Sequence, residues 1–262
     1  MALKKQSNQH FGNYQEEKHY YEEVASEQEY LAWYRQQEQP KYVKPSVTVD
    51  FVALRFNGEH LQVLLEKRKK NPFRNCWALP GSFLKENESI EQALEREVHD
   101  KLNLTIAPKQ VQLLPAISTL GRDPRMWVIT NPSFVLIAKS EESHLTAGDD
   151  VEQLNWFNIL LDHNQQLQIE PRLAFDHGEV IKSALLSLKR TWGLKKYDGV
   201  QTLLGDEFTL NQLKACLGSV DENMLGMNNS NLKRIMTKYI KATDKKAIEG
   251  RSRPSRIFKW KY

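Results

Sequence analysis

The chain has 262 residues, of which 40% are hydrophobic and 27% charged, and its mean hydropathy is −0.60. This composition is typical of a soluble globular protein that has one large core and room for a second, small domain. The formal net charge of +4 conceals an asymmetry, because the last 35 residues contain eleven Lys or Arg and two acidic residues. Such a concentration indicates a surface for a polyanion, the alternative being a solvated basic tail without a partner.

Neither a membrane partner nor export is expected. No apolar run approaches the roughly 20 residues that cross a bilayer, and the polar stretch 1–13 lacks the apolar centre of a signal peptide. Cys76 and Cys216 lie far apart and have no metal-ligand spacing, which favours a cytoplasmic location.

Residues 1–44 are predicted to form an N-terminal helical arm. Tyr14–Gln39 contains no proline, and its aromatic and aliphatic side chains can form one apolar stripe. The arm packs either on the main domain or on a second subunit, and the sequence leaves both alternatives open.

Residues 45–194 are predicted to form the main domain, which is of the α+β class. Ser46–Phe56 and His60–Lys67 are rich in β-branched and aromatic residues, and Asn57-Gly58 between them is a two-residue turn signal, so the pair forms a hairpin. Strands interrupted by two helices, without regular βαβ repeats, indicate a sandwich. The remaining elements are expected to be strands at Val111–Leu114, Trp127–Lys139 and Glu152–Phe157, a turn at Asp149-Asp150, and a helix over Ala174–Thr191.

The loop and helix between Trp77 and Leu104 carry the strongest chemical signal. Pro80-Gly81 marks a tight loop, and Ser89 with Gln92 forms a capping box that starts a helix over Ile90–Leu104. The apolar residues of this helix fall on one stripe, so that face is expected to be buried, together with the aromatic side chains of Trp77 and Phe83.

The other face of the same helix carries Glu97, Asp100 and Lys101. Residues three and four positions apart are neighbours on a helix surface, so these three side chains are expected to meet. Carboxylates gathered beside a loop are suited to holding Mg²⁺ against a pyrophosphate, because hard cations prefer oxygen ligands.

This stretch resembles the Nudix box of the Nudix (MutT-like) hydrolases. Anchored on Arg96-Glu97, the pattern places its upstream glutamate at Glu88, whereas Ser82 and Asn103 stand where glycines are expected. The resemblance implies an α/β/α sandwich with a mixed sheet, in which Glu88 and Glu97 would be catalytic if the site is active. Glu97 and Asp100 would then be the remnants of its metal site.

Lys101 occupies a position that is a Mg²⁺ ligand in active members of the family. At about 4 Å and an effective ε of about 20, two unit charges interact by about 4 kcal/mol, and a dication roughly doubles this repulsion. A surface pair between Glu97 and Lys101 is the ordinary structural interpretation. Both interpretations predict a Nudix shape without Nudix chemistry, so no cofactor is required, and Mg²⁺ matters only if the protein hydrolyses its ligand.

Arg122-Asp123-Pro124-Arg125 precedes a strand that opens at Trp127. In the functional interpretation, two arginines on a proline turn can bind phosphate oxygens through paired N–H donors. As structure, the motif is a β-turn with solvated arginines and an internal Arg–Asp pair.

Residues 195–262 are predicted to form a second, small domain after a linker at 192–199. Thr209 and Gln212 cap a short helix, and a second helix follows Asn228, with Leu232, Ile235 and Met236 spaced for a core. The chain ends in a strand with Phe258 on its buried face. Helix, helix and basic hairpin is the order of a winged helix, in which the second helix enters the major groove of DNA. The predicted DNA-binding residues are Lys233, Arg234, Lys238, Lys241, Arg251, Arg253 and Arg256.

A closer resemblance rests on four motifs in order along the chain, with the basic tail after them. They are Asn71-Pro72-Phe73, Trp77-Ala78-Leu79-Pro80-Gly81, Arg122-Asp123-Pro124-Arg125 and Leu173-Ala174-Phe175-Asp176-His177. They resemble ADP-ribose-recognising Nudix domains and, more closely, the Nudix-related transcriptional regulators of the NrtR type. Such regulators join an impaired Nudix domain to a C-terminal winged helix.

That resemblance implies a homodimer that binds operator DNA and an ADP-ribose-like nucleotide. The implied ligand-binding residues are Arg122, Asp123 and Arg125, with Arg68 and Arg96 as secondary candidates. The alternatives are a divergent Mg²⁺-dependent pyrophosphohydrolase that acts on ADP-ribose or another nucleoside diphosphate derivative and, more remotely, an RNA-binding protein.

Overall fold

The computed structural model describes residues 11–37, 44–103, 110–138, 153–194, 197, 199–247 and 254–261. The chain divides into two units, Met1–Lys44 and Pro45–Tyr262. Within the described ranges, no helix combines the length and apolar character needed to cross a bilayer.

The N-terminal unit, predicted to be a helical arm, is a pair of short helices, α1 (Tyr14–Glu23) and α2 (Glu27–Tyr34). Ser26 interrupts the helix because it caps α2, and its hydroxyl accepts a hydrogen bond from the backbone N–H of Glu29. The ring of Trp33 stacks on Tyr21 with centroids 4.9 Å apart. Gln39, the last residue of the predicted helical stretch, lies outside the described residues.

A mixed seven-stranded sheet forms the centre of the second unit, with β1 paired in parallel to β6 and antiparallel to β2 and β4. Along its main path the strand order is β3-β2-β1-β6-β5, and β7 pairs with β2. Its strands are β1 (Ser46–Phe56), β2 (Leu61–Lys67), β3 (Trp77–Ala78), β4 (Gly81–Phe83), β5 (Val111–Leu113), β6 (Val128–Leu136) and β7 (Leu154–Asn158). A separate two-stranded sheet pairs β8 (Leu160–Leu161) with β9 (Leu167–Gln168).

Alternating residues of β1 point to opposite faces of the sheet, so both faces are apolar and both need a cover. Phe51 and Ala53 belong to one buried cluster with apolar residues of helix α3 (Ile90–Leu102). Val52 and Leu54 belong to another with helix α4 (His177–Leu194). The predicted α+β class and the α/β/α sandwich with a mixed sheet are therefore confirmed.

The C-terminal part follows the order of a winged helix. Its three-stranded sheet has the order β10-β12-β11, with Phe208 opposite Phe258 and Ile240 opposite Trp260. The elements are α5 (Val200–Leu204), β10 (Glu207–Thr209), α6 (Leu210–Gly218), a 3₁₀ turn (Glu222–Met224), α7 (Asn229–Met236), β11 (Ile240–Ala247) and β12 (Ser255–Trp260).

The winged helix and the sandwich share one buried cluster. Val180 and Leu185 of α4 belong to the same core as Leu203 of α5 and Leu213 of α6. The backbone N–H of Leu161 donates to the carbonyl of Ser219 at 2.9 Å.

Several predicted boundaries were wrong. The hairpin loop spans four residues, 57–60, because the Asn57 side chain accepts from the backbone N–H groups of Glu59 and His60. The helix expected to begin at Ala174 begins at His177 and extends through Leu194, so the first three residues of the expected linker at 192–199 belong to α4, and α5 begins directly after the linker at Val200. The predicted turn at Asp149-Asp150 lies outside the described residues.

Candidate nucleotide pocket and DNA-binding face

Arg96 of α3 clamps the preceding loop onto the helix. Its guanidinium donates to both carboxylate oxygens of Glu88, at 2.6 and 2.9 Å, and to the hydroxyl of Ser82 at 3.2 Å. The guanidinium beside Glu88 lowers the pKa of that carboxyl to about 2. Arg96 thus ties the loop to the helix through carboxylates of the same stretch and is not among the residues that line the pocket described below.

Gly81 packs this loop closely against β1. A Cβ at this position would lie 2.4 Å from Oδ1 of Asp50 and 2.5 Å from the carbonyl oxygen of Val49. Glycine is therefore required at 81, one position before the place where the family pattern has it, and Ser82 is free to bind Arg96.

The three polar residues expected to meet on α3 diverge. Glu97 is buried and accepts from Arg96 at 3.3 Å, whereas the side chain of Asp100 is 59% exposed and contacts His99. Lys101 does not pair with Glu97; its Nζ lies 3.2 Å from Oε2 of Glu66 on β2. In the part of the chain that the structure describes, no group of three His, Cys, Asp or Glu side chains is arranged to hold a metal ion.

Glu66 is a buried carboxylate whose pKa is raised. Burial is the main cause of the raised pKa, and the Glu97 carboxylate adds to it, while the ammonium of Lys101 opposes both. Glu97 and Asp100, the residues expected to hold Mg²⁺, therefore do not fit the ion, since Arg96 lies against the carboxylate of Glu97 and Asp100 is turned out beside His99.

A pocket of about 230 Å³ opens beside the clamp, between β1, β2, β4 and the loop that precedes β6. Most of its side chains are charged or polar, as suits a polar ligand. Phe83, predicted to be core, lines this pocket and is 41% exposed. The lining residues are Thr48, Asp50, Glu66, Arg68, Leu79, Gly81, Ser82, Phe83, Arg122, Asp123, Arg125, Val128, Phe175 and His177.

Arg122 is buried in an ion-pair cluster. It donates two hydrogen bonds to Asp176, at 2.8 and 2.9 Å, and one to Asp50 at 3.2 Å, and its side chain is 5% exposed. Two carboxylates therefore occupy the guanidinium that was expected to hold a phosphate, and Arg122 instead ties β1 to the start of α4.

Arg125 and Asp123 form the internal pair that the structural interpretation of their motif predicted. Arg125 donates to both oxygens of Asp123, at 3.0 and 2.7 Å, and this guanidinium lowers the pKa of Asp123. Asp123 is 7% exposed, whereas the side chain of Arg125 is 43% exposed at the pocket.

Arg68 is placed differently from the other two arginines of the pocket. Its Nε donates to the carbonyl of Pro72 at 2.9 Å, and its guanidinium lies 4.8 Å from the ring centroid of Phe175. Among the described residues, no carboxylate lies within ion-pair distance of Arg68. Its positive charge is therefore directed to the pocket.

His177 is a structural residue of the pocket wall. Its Nδ1 accepts a hydrogen bond from the backbone N–H of Leu79 at 2.8 Å. Burial lowers the pKa of His177, which agrees with a neutral ring whose Nδ1 accepts a hydrogen bond. The hydrogen bond holds the start of α4 against the loop before β4.

The sequence interpretation missed Asp50 and Glu66, both of which line the pocket. Asp50 carried a usable signal, because it interrupts the apolar run of β1 at a position that is 6% exposed. An acidic residue inside a buried strand requires a partner, and Arg122 supplies it.

The basic face of the winged helix lies on α7 and the strands after it. Lys233, Arg234 and Lys238 are exposed, as are Lys241 and Arg256. Ile235, expected in the core, is 40% exposed, whereas Leu232 and Met236 are buried as predicted. Arg251 and Arg253 of the predicted DNA-binding set lie outside the described residues.

The chain belongs to the NUDIX domain family, whose model matches residues 44–175. It is 39% identical to the ADP-ribose pyrophosphatase of Methanocaldococcus jannaschii over 141 residues, which is 54% of this chain and 73% of that protein. It is 27% identical to the ADPR responsive transcriptional repressor NtrR of Acinetobacter baylyi over 244 residues, 90% of this chain and 89% of that one.

Two solved structures resemble this chain over most of its length. A MutT/nudix family protein from Enterococcus faecalis has a TM-score of 0.76 at 34% identity, covering 96% of this chain and 100% of that chain. NrtR of Shewanella oneidensis, complexed with a 27mer DNA, has a TM-score of 0.58 at 26% identity, covering 82% and 93%. The predicted resemblance to Nudix-related regulators is confirmed.

The clamp predicts a specific pH dependence. The folded pKa of Glu88, about 2, lies below its ordinary value of 4.5, so the folded state resists its protonation. The stability from this pair is complete above about pH 4.5 and is lost as the pH falls toward about 2. Glu88→Gln should therefore destabilise the protein most above pH 5, and by progressively less at lower pH.

Urea denaturation at a series of pH values measures this difference. The control is Glu95→Gln, which removes an exposed carboxylate from α3, the helix that carries Arg96. A wild-type advantage over Glu88→Gln that stays constant between pH 6 and pH 3 would contradict the assigned pair.

Proposed function

We propose that this protein is a transcriptional regulator, whose Nudix domain binds ADP-ribose or a related nucleoside diphosphate sugar without hydrolysing it and whose winged helix binds operator DNA. The observation that carries the proposal is the similarity to an ADPR responsive transcriptional repressor, which extends over 90% of this chain and includes the winged helix. Homology over the Nudix domain alone would leave the DNA-binding part unexplained.

The pocket offers a phosphate site and an aromatic surface side by side. We assign the phosphate contact to Arg68, because Arg122 and Arg125 are each held by carboxylates in the pocket wall. A guanidinium binds phosphate oxygens through paired donors. Phe175 and Phe83 line the same space and offer rings to a nucleobase or ribose.

Helix α7 is the proposed recognition helix. Its exposed Lys233 and Arg234 face away from the buried Leu232 and Met236, so one side is fixed in the core while the other can enter a groove. We propose that the protein binds as a homodimer, since paired winged helices read two-fold sites whose half-site spacing the protein symmetry sets.

Helix α4 is placed to connect the two sites. It begins at His177 against the pocket wall, and its 18 residues extend for about 27 Å. Near its other end, Lys189 lies 3.3 Å from Asp221, which follows α6 of the winged helix. If α4 has two positions, a nucleotide that binds the protein more tightly in one of them would shift the winged helix toward that position.

A second candidate function is hydrolysis of ADP-ribose, which the 39% identity to a pyrophosphatase favours. In that case Glu88 and Glu97 would be catalytic with Mg²⁺. Against it stand the pairing of Glu88 with Arg96 and of Lys101 with Glu66.

The two candidates differ in the metal dependence of nucleotide binding. We expect ADP-ribose at 100 times its Kd to stabilise the wild-type protein by about 2.7 kcal/mol, seen as a shift of several degrees in Tm, equally in EDTA and in Mg²⁺. No AMP should form. A shift that requires Mg²⁺, together with steady release of AMP, would establish the hydrolase instead.

The DNA-binding part is tested with a duplex that the full-length protein selects from a random-sequence pool. We expect the dissociation constant to rise steeply with salt, and Lys233→Ala/Arg234→Ala to reduce the log–log slope by up to about 2, since each phosphate contact contributes roughly 0.9. Fluorescence anisotropy between 50 and 200 mM salt measures the slope.

Lys69→Ala/Lys70→Ala is the matched control, because it removes the same charge from exposed positions of the Nudix domain. An equal loss of slope in both double variants would mean that α7 does not contact DNA.

A further inference from the structure

Lys101 pairs with Glu66, a carboxylate that lines the pocket. Its Nζ is 3.2 Å from Oε2 of Glu66, and both side chains are largely buried, at 14% and 16% exposure. Glu97 precedes it by four residues on α3, which makes the two helix neighbours, and is itself 4% exposed. A long-range ion pair between β2 and α3 therefore stands where family members carry acidic metal ligands.

The pocket would repel a diphosphate if its carboxylates were uncompensated. Asp50 is paired with Arg122, which also holds Asp176, and Asp123 is paired with Arg125. Glu66 also lines the pocket, and its ion pair in the described residues is with Lys101. A buried carboxylate next to a phosphate requires a positive charge nearby.

We infer that the Lys101 ammonium is a built-in replacement for the divalent cation, neutralising Glu66 while Arg96 compensates Glu97, so that the pocket accepts a nucleoside diphosphate without any metal ion. The ligand part of this inference rests on the proposed function. The ammonium of the lysine side chain supplies a single positive charge, which compensates a carboxylate. Unlike a divalent metal ion, it coordinates neither the pyrophosphate nor a water molecule. The same substitution would thus preserve binding and abolish cleavage.

A second consequence concerns metal ions and does not depend on any nucleotide. If the ammonium is removed, Glu66 loses its cation while the charge of Glu97, whose own partner is Arg96, still acts on it. Hard divalent ions bind such oxygen ligands. Lys101→Gln should therefore acquire a Mn²⁺ site that the wild-type protein lacks.

The experiment uses the full-length protein and two readouts, Mn²⁺ binding by electron paramagnetic resonance and ADP-ribose binding by calorimetry. We expect Lys101→Gln to bind Mn²⁺, to bind ADP-ribose at least tenfold more weakly than wild type in EDTA, and to recover in Mn²⁺. Lys101→Arg should keep the affinity in EDTA, because it keeps the charge. Lys85→Gln, at an exposed lysine of the preceding loop, should behave as wild type.

Lys101→Met, which has a similar length, is measured in the same way if Lys101→Gln does not fold. Glu66→Gln/Lys101→Gln should fold without the Mn²⁺ site, because one of the two carboxylates is gone. The inference is overturned if the Lys101 variants bind ADP-ribose in EDTA as wild type does, or if they acquire no Mn²⁺ site. Failure of wild type to bind ADP-ribose under any condition refutes the proposed function instead, and the Mn²⁺ measurement then decides the inference alone.

Discussion

Neutralisation of buried carboxylates is the constraint on which the pocket depends. Each of its acidic residues is paired with a cation from another part of the chain or from its own turn: Asp50 with Arg122, Asp123 with Arg125, and Glu66 with Lys101. Removal of one partner would leave a buried charge uncompensated, which is strongly destabilising. These pairs therefore fix the positions of β1, β2, α3 and the loop before β6 relative to one another.

The same pairs explain how the site can differ from a hydrolase while keeping its fold. The clamp of Arg96 on Glu88 holds the loop on the helix, and Gly81 allows this loop to approach β1. Both features support the shape of the pocket and need no metal. Under the proposed function, the difference from a hydrolase lies in the charge at position 101, which pairs with Glu66, and in the exposed side chain of Asp100.

The shared core gives the winged helix a direct structural connection to this pocket. Asp176, held by Arg122, and His177, held by the backbone of Leu79, fix the start of α4. The apolar face of α4 then runs in one cluster with α5 and α6. A ligand that alters the pocket wall would act on the first residues of a helix whose far end lies beside the DNA-binding part.

The sequence alone was sufficient to predict local features and the family. Both capping boxes, Ser89 with Gln92 and Thr209 with Gln212, are present, the β-branched and aromatic residues of β1 correctly indicated a strand, and the stripe of α3 correctly indicated a buried face. These signals depend on neighbouring residues. The partners of Lys101 and Arg122 could not be found in this way, because Glu66, Asp50 and Asp176 come from distant elements that only the fold brings together.

The interpretation of α7 shows the same limit. Its periodicity placed Leu232, Ile235 and Met236 in the core, but α7 ends at Met236 and has only eight residues, so its buried face is narrow and Ile235 is exposed. Periodicity gives a face, whereas the width of the face that is buried depends on what packs against it.

We propose that the nucleotide and DNA sites of this protein are coupled without a metal ion, and coupling between two ligands is reciprocal. The direct measurement is calorimetry of ADP-ribose in EDTA, with the free protein and with the protein saturated by its selected duplex. We predict that the two affinities differ, by roughly 5- to 150-fold, and that the duplex affinity changes by the same factor when ADP-ribose is present. Identical ADP-ribose affinities with and without DNA, or binding that disappears in EDTA, would contradict the account.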